Sequence, residues 1–358
     1  MVGIDWRELY AANQATIRAA VPTNQATAPA PPGALVPGRL TAPRWAARPR
    51  VQPPHGRTAL VHLPSGLDPA MSTPLVCMLH GCTQDPATFA AATLMNDLAD
   101  RHGFVVVYPG QDRTSNAQGC WNWFLPDHQR RGAGEPAAIA RIVCNLIETD
   151  TRCTIDPGRV FVAGLSSGGA MAAILAACYP DLFAALAVHS GLPYRAATDM
   201  PSAFRAMSRG DGSAEAHGRA AHAAMGQHAR PIPSIVIHGN ADHTVAPANA
   251  TQVLRQSMTA NHLAAPHSCN HDVARPTASW RSRAKDGYSY TRSQWTTERG
   301  LLMHELLEVD GLGHAWSGGA RGGPYTDPRG PSATEAIGTF FSLITATRAP
   351  NDHPTTPT

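Results

Sequence analysis

The chain has 358 residues, of which 43% are hydrophobic, and its formal net charge is +3. This length fits one α/β domain with tails rather than two full domains, and the near-neutral charge gives no case for nucleic-acid binding. The sequence has no apolar run of about 18 residues, so we expect no membrane-spanning helix.

The first 57 residues are expected to lie outside the folded domain. Residues 1–20 predict one short helix, and residues 21–57 contain nine prolines and five arginines without any Asp or Glu. This composition disfavours both helices and strand pairing, so we predict an N-terminal helix and a Pro/Arg-rich arm over 1–57. Asp5, Arg7 and Glu8 fall where a secretory signal would be apolar. We therefore expect a cytoplasmic protein, secreted only if a leader precedes these residues.

Strands and helices are predicted to alternate from residue 58 onward. Apolar runs predict strands over 58–64, 74–80, 104–109, 159–164, 183–191 and 233–239. Helical spacing predicts helices over 87–103, 135–150, 168–180, 248–260 and 333–346. Residues 288–297 and 301–311 predict a hairpin, and the polar stretch 205–230 carries no assigned element. This alternation indicates an α/β domain over 58–346 with a mainly parallel sheet, helices on both faces, and a polar tail over 347–358.

The strongest chemical motif is Gly164-Leu165-Ser166-Ser167-Gly168, which matches G-x-S-x-G. An apolar strand leads into it and an apolar helix follows. A strand-to-helix turn of this kind exposes the serine hydroxyl above the carboxyl edge of the sheet, and the glycines avoid clashes there. We predict Ser166 as a nucleophile; the alternative is a Gly-rich turn in which Ser166 caps the helix. Ser167 is the rival hydroxyl, but it is out of register with the glycines.

A serine hydroxyl needs a base, and in such sites the acid and then the histidine follow the serine along the chain. Asp242 follows the strand 233–239, and His314 lies in a Gly-flanked loop after residues 301–311. We predict Asp242 as the acid and His314 as the base. The nearest competitors are His243 and Asp310.

The loop after the strand 74–80 is expected to supply an oxyanion donor. It contains Leu79-His80-Gly81-Cys82. In this position one backbone N–H comes from the loop and a second from the residue after the nucleophile. We predict the N–H groups of Cys82 and Ser167 as the oxyanion hole, and His80 as a residue that packs the loop. The sequence shows no zinc-type spacing of Cys and His, so no metal is predicted.

Eight short segments occur in a fixed order along the chain. They are LHGCTQ (79–84), CWNWF (120–124), RRGAGEPA (130–137), GLSSGGAM (164–171), HSGLPY (189–194), HGNADHTV (238–245), GHAWSGG (313–319) and YTDPRGP (325–331). Together they resemble the polyhydroxybutyrate depolymerase family of esterases. The resemblance implies an α/β-hydrolase fold with little or no lid and a triad at Ser166, Asp242 and His314. It also implies hydrolysis of short-chain polyhydroxyalkanoate esters without a cofactor.

Secreted members of this family carry a signal peptide and a polymer-binding domain, and neither is evident here. The chain is therefore similar to stand-alone, intracellular members, which implies a polyhydroxyalkanoate granule as a partner. Three alternatives remain: a feruloyl or acetyl-xylan carbohydrate esterase, a catalytically idle granule-binding protein, and a peptidase on the same fold.

Two residue sets follow from the motifs of the resemblance. Trp316, Trp121 and Trp123 lie near the predicted site and are candidates for an apolar substrate surface, unless they only pack the loops. Cys82 and Cys120 lie in adjacent motifs and are candidates for a disulfide that braces residues 79–84, here named the oxyanion loop. In a reducing cytosol they would be thiols. Cys144 and Cys153 form a second candidate pair.

Overall fold

A central sheet organises residues 58–266 and 272–347, which are the residues that this computed structural model describes. The strands are β1 (Ala59–His62), β2 (Ser72–Leu79), β3 (Val105–Pro109), β4 (Thr154–Leu165), β5 (Ala185–His189), β6 (Ser234–Gly239), β7 (Ala278–Arg283), β8 (Ser289–Thr296), β9 (Leu302–Val309), β10 (Trp316–Ser317) and β11 (Thr326–Asp327). Strands β1 to β9 form one sheet in the order β1-β3-β2-β4-β5-β6-β9-β8-β7, and β10 pairs with β11.

The middle of this sheet is parallel. Strands β3, β2, β4, β5, β6 and β9 pair in parallel, whereas β1 at one end and β8 and β7 at the other pair antiparallel. The central strands are buried on both faces, as continuous apolar runs predict. The predicted hairpin therefore exists, but its second strand, β9, also joins the parallel sheet.

Helices cover both faces of the sheet. They are α1 (Pro86–Thr93), α2 (Met95–His102), α3 (Gly134–Thr149), α4 (Ser167–Cys178), α5 (Met200–Arg209), α6 (Ala214–Met225), α7 (Ala248–Ala264) and α8 (Ala333–Thr347). Alternate residues of β2 enter opposite cores: Leu75 and Cys77 pack in one cluster, Val76 and Met78 in the other. The predicted α/β architecture with a mainly parallel sheet is confirmed.

Leu94 divides what was predicted as one helix into α1 and α2. Its backbone is left-handed, with φ 58° and ψ 22°. The carbonyls of Ala92 and Thr93 accept hydrogen bonds from the Ala320 N–H at 2.9 Å and the Thr334 hydroxyl at 2.5 Å. These two carbonyls thus accept hydrogen bonds from distant parts of the chain, in place of the backbone N–H groups that would bind them in a continuous helix.

Helices α5 and α6 occupy most of the polar stretch for which no element was predicted. The buried positions of α6 are Ala214, His217, Gly218, Ala221 and Met225, which are mostly small or polar. Such side chains give a weak hydrophobic signal, yet they let α6 approach α7 closely. The edge strand β7 was also missed, because its side chains are mostly exposed and show no alternation.

The predicted N-terminal helix and arm over 1–57, and the tail beyond residue 347, lie outside the described residues. Within the described ranges, none of the helices combines the length and the apolar character that crossing a bilayer requires.

Candidate active site

Ser166 lies at the turn between β4 and α4, at the carboxyl edge of the sheet. Its backbone has φ 58° and ψ −120°, a conformation that non-glycine residues rarely adopt. Ser166 occupies the N-cap position of α4, but its side chain makes no capping hydrogen bond. Its N–H donates to the carbonyl of His189 at 2.9 Å. Strain of this kind is characteristic of functional turns, and it is the turn geometry that the motif predicted.

The flanking glycines are needed for space. A Cβ on Gly164 would lie 2.3 Å from the carbonyl of Gly168, and a Cβ on Gly168 would lie 2.1 Å from the carbonyl oxygen of Leu79. Both contacts are with backbone atoms, so neither can be relieved by moving a side chain. The glycines therefore allow α4 to begin directly against β4 and the end of β2.

Asp242 and His314, 72 residues apart in the chain, are hydrogen bonded. His314 Nδ1 lies 2.7 Å from Oδ2 of Asp242, and the Asp242 side chain has no exposed surface. Because a carboxylate only accepts, Nδ1 carries the proton and Nε2 is left as the basic atom. This is the tautomer that a general base toward a serine hydroxyl requires.

The Asp242 carboxylate has further donors on its other oxygen. Oδ1 accepts the backbone N–H groups of Thr244 and Val245, each at 2.9 Å. Burial alone would raise the pKa of Asp242, but the charge and hydrogen bonds of His314 and His238 outweigh it and hold the pKa well below its usual value. Asp242 is therefore ionised across the neutral range.

The competing residues lie elsewhere. Asp310 accepts from Asn240 Nδ2 at 3.0 Å and pairs with Arg281, and His243 is exposed. Asp310 therefore has other partners.

Within the described ranges, no hydrogen bond to the Ser166 hydroxyl is present. In unliganded hydrolases the contact between nucleophile and base is commonly long, and it tightens when substrate binds.

His189 links the Ser166 turn to β10, which follows His314. Its carbonyl accepts the Ser166 N–H, and its Nε2 accepts the backbone N–H of Ser317 at 3.0 Å. Burial, with the nearby charges of His238 and His314, lowers its pKa to about 3. The imidazole is therefore neutral, and its Nδ1–H faces the Ser190 hydroxyl at 3.1 Å. The strand pattern gave no signal for this residue beyond its place at the end of β5.

The two residues predicted to supply the oxyanion donors, Cys82 and Ser167, have neighbouring side chains. Cys82 Sγ is 3.5 Å from the Ser167 hydroxyl oxygen, and a Cβ on Gly81 would lie 3.5 Å from Cβ of Ser166. In the described part of the chain, neither the Cys82 N–H nor the Ser167 N–H has a backbone or side-chain acceptor. Both N–H groups are therefore available to an acceptor, and their role as oxyanion donors stays a prediction.

Cys82 and Cys120 are joined by a disulfide. The second candidate pair is wrong, because Cys144 and Cys153 are both free thiols. The bridge connects the oxyanion loop to the segment Cys120–Phe124, so the two motifs form one covalently tied unit.

The prediction that tryptophans form the substrate surface is wrong for Trp316 and Trp121, which have no exposed surface. The Trp316 ring stacks on His189 with centroids 5.1 Å apart, and its Nε1 donates to the Thr334 hydroxyl at 3.0 Å. Trp121 Nε1 donates to the carbonyl of His80 at 3.0 Å. Trp123 is 5% exposed and packs edge-on against a neighbouring phenylalanine. The three tryptophans are therefore buried beneath the loops at this edge of the sheet and pack against them.

His80 is 1% exposed and packs against Trp121, and its Nε2 accepts the Gln111 N–H at 3.2 Å. Within residues 58–266 and 272–347, His, Cys, Asp and Glu side chains do not form a group of three or more that could hold a metal ion. The groups available for chemistry at this edge are therefore a hydroxyl, an imidazole, a carboxylate and backbone N–H donors, which suit acyl transfer.

Comparison with known proteins finds a matching family model and similar proteins. The family model described as esterase PHB depolymerase matches residues 58–271. The chain is 44% identical over 197 residues to poly(3-hydroxyalkanoate) depolymerase C of Paucimonas lemoignei, which covers 54% of this chain and 46% of that protein. It is 29% identical over 211 residues to a probable acetylxylan esterase A of Aspergillus fumigatus, with 57% and 55% covered. The chain thus spans about half the length of these curated relatives.

Among solved structures, the acetyl xylan esterase from Aspergillus awamori has a TM-score of 0.62 to this chain at 21% identity. The match covers 82% of this chain and 98% of that one. This similarity shows the shared α/β-hydrolase fold.

Proposed function

The chain belongs to the esterase PHB depolymerase family, and on that basis we propose that it hydrolyses ester bonds of short-chain polyhydroxyalkanoates. Poly-3-hydroxybutyrate or its oligomers are the proposed substrates. The 44% identity to a poly(3-hydroxyalkanoate) depolymerase supports this substrate class.

One observation carries the proposed chemistry. The strained Ser166 turn follows β4, and the hydrogen-bonded residues Asp242 and His314 follow β6 and β9, so all three come after parallel strands of the sheet. His189 hydrogen bonds to the N–H groups of both Ser166 and Ser317. Parallel strands deliver their following loops to the carboxyl edge of the sheet, which is where α/β enzymes place their catalytic groups.

In the proposed reaction, Nε2 of His314 takes the proton of the Ser166 hydroxyl as Ser166 attacks the ester carbonyl. The negative charge that develops on the carbonyl oxygen is stabilised by the N–H groups of Cys82 and Ser167. His314 then protonates the leaving alcohol, and an acyl-enzyme remains. Water, deprotonated by His314, attacks the acyl-enzyme, and His314 then returns that proton to the Ser166 oxygen as the acid is released. Asp242 stabilises the imidazolium in both steps and stays ionised.

A carbohydrate esterase is the second candidate. The similarity to acetylxylan esterases in sequence and in fold favours it, because the same acyl transfer would release acetate or ferulate from a polysaccharide. The two candidates share the reaction and differ only in the groups on either side of the ester.

A comparison of released acids distinguishes the candidates. Purified protein is incubated with amorphous poly-3-hydroxybutyrate, with acetylated xylan and with a feruloylated oligosaccharide, and the soluble products are identified by mass spectrometry. We expect 3-hydroxybutyrate or its oligomers to be released at least ten times faster than acetate or ferulate. Faster release of acetate or ferulate would favour the second candidate. A chain that reacts with none of them, and does not label with a fluorophosphonate, would be an idle fold.

We further propose a polyhydroxyalkanoate granule as the partner surface, because the proposed substrate is an insoluble polymer. The disulfide between Cys82 and Cys120 favours an oxidising compartment, since glutathione keeps cytosolic thiols reduced. On this observation the proposed partner is polymer released from cells, whereas reduced thiols would favour a storage granule in the cytoplasm. Peptide mapping without reductant, on protein isolated from its natural host, tests the compartment through the state of this pair.

A further inference from the structure

Glu135 is a buried carboxylate that the proposed reaction does not use. It lies in the first turn of α3 and has no exposed surface. Its oxygens accept the Asn122 N–H at 2.7 Å, the Asn122 side-chain amide at 2.8 Å and the Gln111 side-chain amide at 2.5 Å. Nδ1 of His128 lies 3.3 Å from Oε2 of Glu135. Burial raises the pKa of Glu135, but the hydrogen bond and charge of His128, together with the Gln111 and Asn122 donors, outweigh it and lower the pKa, so the group is an anion.

The donors to Glu135 belong to the segment that holds Cys120. Asn122 is two residues from Cys120, and the Gln111 amide nitrogen also donates to the Cys120 carbonyl at 2.8 Å. Between them, Trp121 Nε1 donates to the carbonyl of His80. The carboxylate therefore fixes the backbone of residues 120–122 from the side of α3, while the same segment contacts the oxyanion loop.

The disulfide carries this constraint to Cys82, whose N–H is a proposed oxyanion donor. The neighbouring residue Thr83 has φ 65° and donates its N–H to the carbonyl of Gln118 at 2.7 Å. The oxyanion loop is thus held in an uncommon backbone conformation by contacts with residues 118–120.

We propose that Glu135 is a positioning residue for the oxyanion hole, acting through residues 120–122 and the Cys82–Cys120 disulfide. The inference rests on the proposed function, because it assumes that the Cys82 N–H binds an oxyanion.

The physical basis of the proposal is the number of hydrogen-bond acceptors that the Glu135 side chain supplies. Two carboxylate oxygens serve three amide donors, and a glutamine would offer only one oxygen and turn an NH2 group toward a donor. One donor would then lose its partner, and residues 120–122 would shift. An oxyanion donor must lie within hydrogen-bond distance of the transition-state oxygen, and losing one such donor costs about 100- to 1000-fold in kcat. A displaced donor is expected to cost part of that.

The first test compares Glu135→Gln with Glu305→Gln. Glu305 is the matched control: it is also fully buried, but it accepts from Arg292 and Gln294 within the sheet. With p-nitrophenyl butyrate we expect kcat of E135Q to fall at least 10-fold, with KM within about 2-fold. We expect E305Q to keep its kcat within about 2-fold, although both variants melt at a lower temperature.

A trifluoromethyl ketone reports on the oxyanion hole directly, because Ser166 adds to it and leaves a bound oxyanion. We expect its inhibition constant to rise in E135Q by about the factor by which kcat falls, and to be unchanged in E305Q. Equal kcat losses in the two variants, or an unchanged inhibition constant in E135Q, would overturn the proposal.

The second test removes the tether. In the Cys82→Ala/Cys120→Ala background, the backbone N–H at position 82 remains but the covalent path is absent. We expect E135Q to cost at most about 3-fold in this background, and the same cost as in the bridged protein contradicts the proposed path. If E135Q does not fold, Gln111→Ala serves in both tests, with a smaller kcat loss expected.

The two proposals fail in different ways. If the wild-type chain has no esterase activity and does not react with the ketone, the proposed function fails. If the wild type is active and E135Q behaves like E305Q, only the positioning role fails.

Discussion

Nε2 of His238 lies 3.4 Å from Oδ2 of Asp242, the oxygen that also accepts a hydrogen bond from His314 Nδ1. The same nitrogen is 2.9 Å from the carbonyl oxygen of Val245. A carbonyl only accepts, so Nε2 of His238 carries the proton and is shared between the carboxylate and the loop. His238 Nδ1 is buried and makes no hydrogen bond with any described residue. Asp242 is thus flanked by two imidazoles.

The first prediction concerns His238. Its replacement by leucine removes a donor from Asp242 and from the 239–245 loop, so we expect kcat/KM for p-nitrophenyl butyrate to fall about 10-fold. Glutamine carries an amide that can donate to the Val245 carbonyl. We therefore expect H238Q to raise the activation free energy by no more than half as much as the leucine variant does. If both variants lose the same activity, the side chain acts by volume alone.

The second prediction concerns Asp242→Asn. The Thr244 and Val245 N–H groups require an oxygen at the Oδ1 position, so the amide NH2 must face His314. Its Nδ1 then has to accept, which leaves the proton on Nε2, where the base should be. We expect kcat to fall by about 10⁴-fold while circular dichroism stays unchanged. Asp310→Asn is the control, with kcat expected within about 2-fold of the wild type; a large loss there would point to the other carboxylate.

The third prediction follows from the burial of Trp316. Trp316→Phe removes the hydrogen bond to Thr334 and part of the stack on His189, so we expect a loss of about 1–3 kcal/mol in the free energy of unfolding in urea. KM for ester substrates should stay within about 2-fold, because the ring has no surface for a ligand. A KM rise without loss of stability would return Trp316 to the substrate site.

The fourth prediction is a loss of stability on mild acidification. Burial lowers the pKa of His304 to about 3, and the pKa of His189 is likewise lowered to about 3. The folded state therefore binds fewer protons than the unfolded state between pH 6.5 and 3, and its stability falls as the pH falls through that range. Between pH 7 and pH 5 each histidine should cost about 2 kcal/mol.

His304 provides the check, because it lies away from the active site. Its Nδ1–H faces the Ser234 hydroxyl at 2.9 Å, and its Nε2 accepts from Asn261 at 3.2 Å. Urea unfolding of His304→Gln at both pH values should show a smaller pH dependence than the wild type, although the variant is less stable at pH 7. If the free energy of unfolding changes between the two pH values as much in the variant as in the wild type, His304 does not cause the pH dependence.

Local patterns were sufficient for much of the fold. Continuous apolar runs predicted the central parallel strands, and the G-x-S-x-G turn between β4 and α4 was recognisable because its geometry depends on residues that are adjacent in sequence. The break at Leu94 and the helix α6 were missed. In both cases the decisive contacts come from distant segments, namely residues 320 and 334 for Leu94 and the closely packed helix α7 for α6.

The sequence by itself determined the fold class, the family and a short set of candidate residues, because hydrophobic period and turn chemistry are local properties of the chain. Only the tertiary structure decided which candidates meet: Asp242 rather than Asp310 bonds to His314, and Trp316 lies beneath the site. It also revealed Glu135 and His189 as anchors of the loops. Burial and hydrogen-bond partners depend on distances between residues far apart in the chain, and residue spacing does not encode those distances.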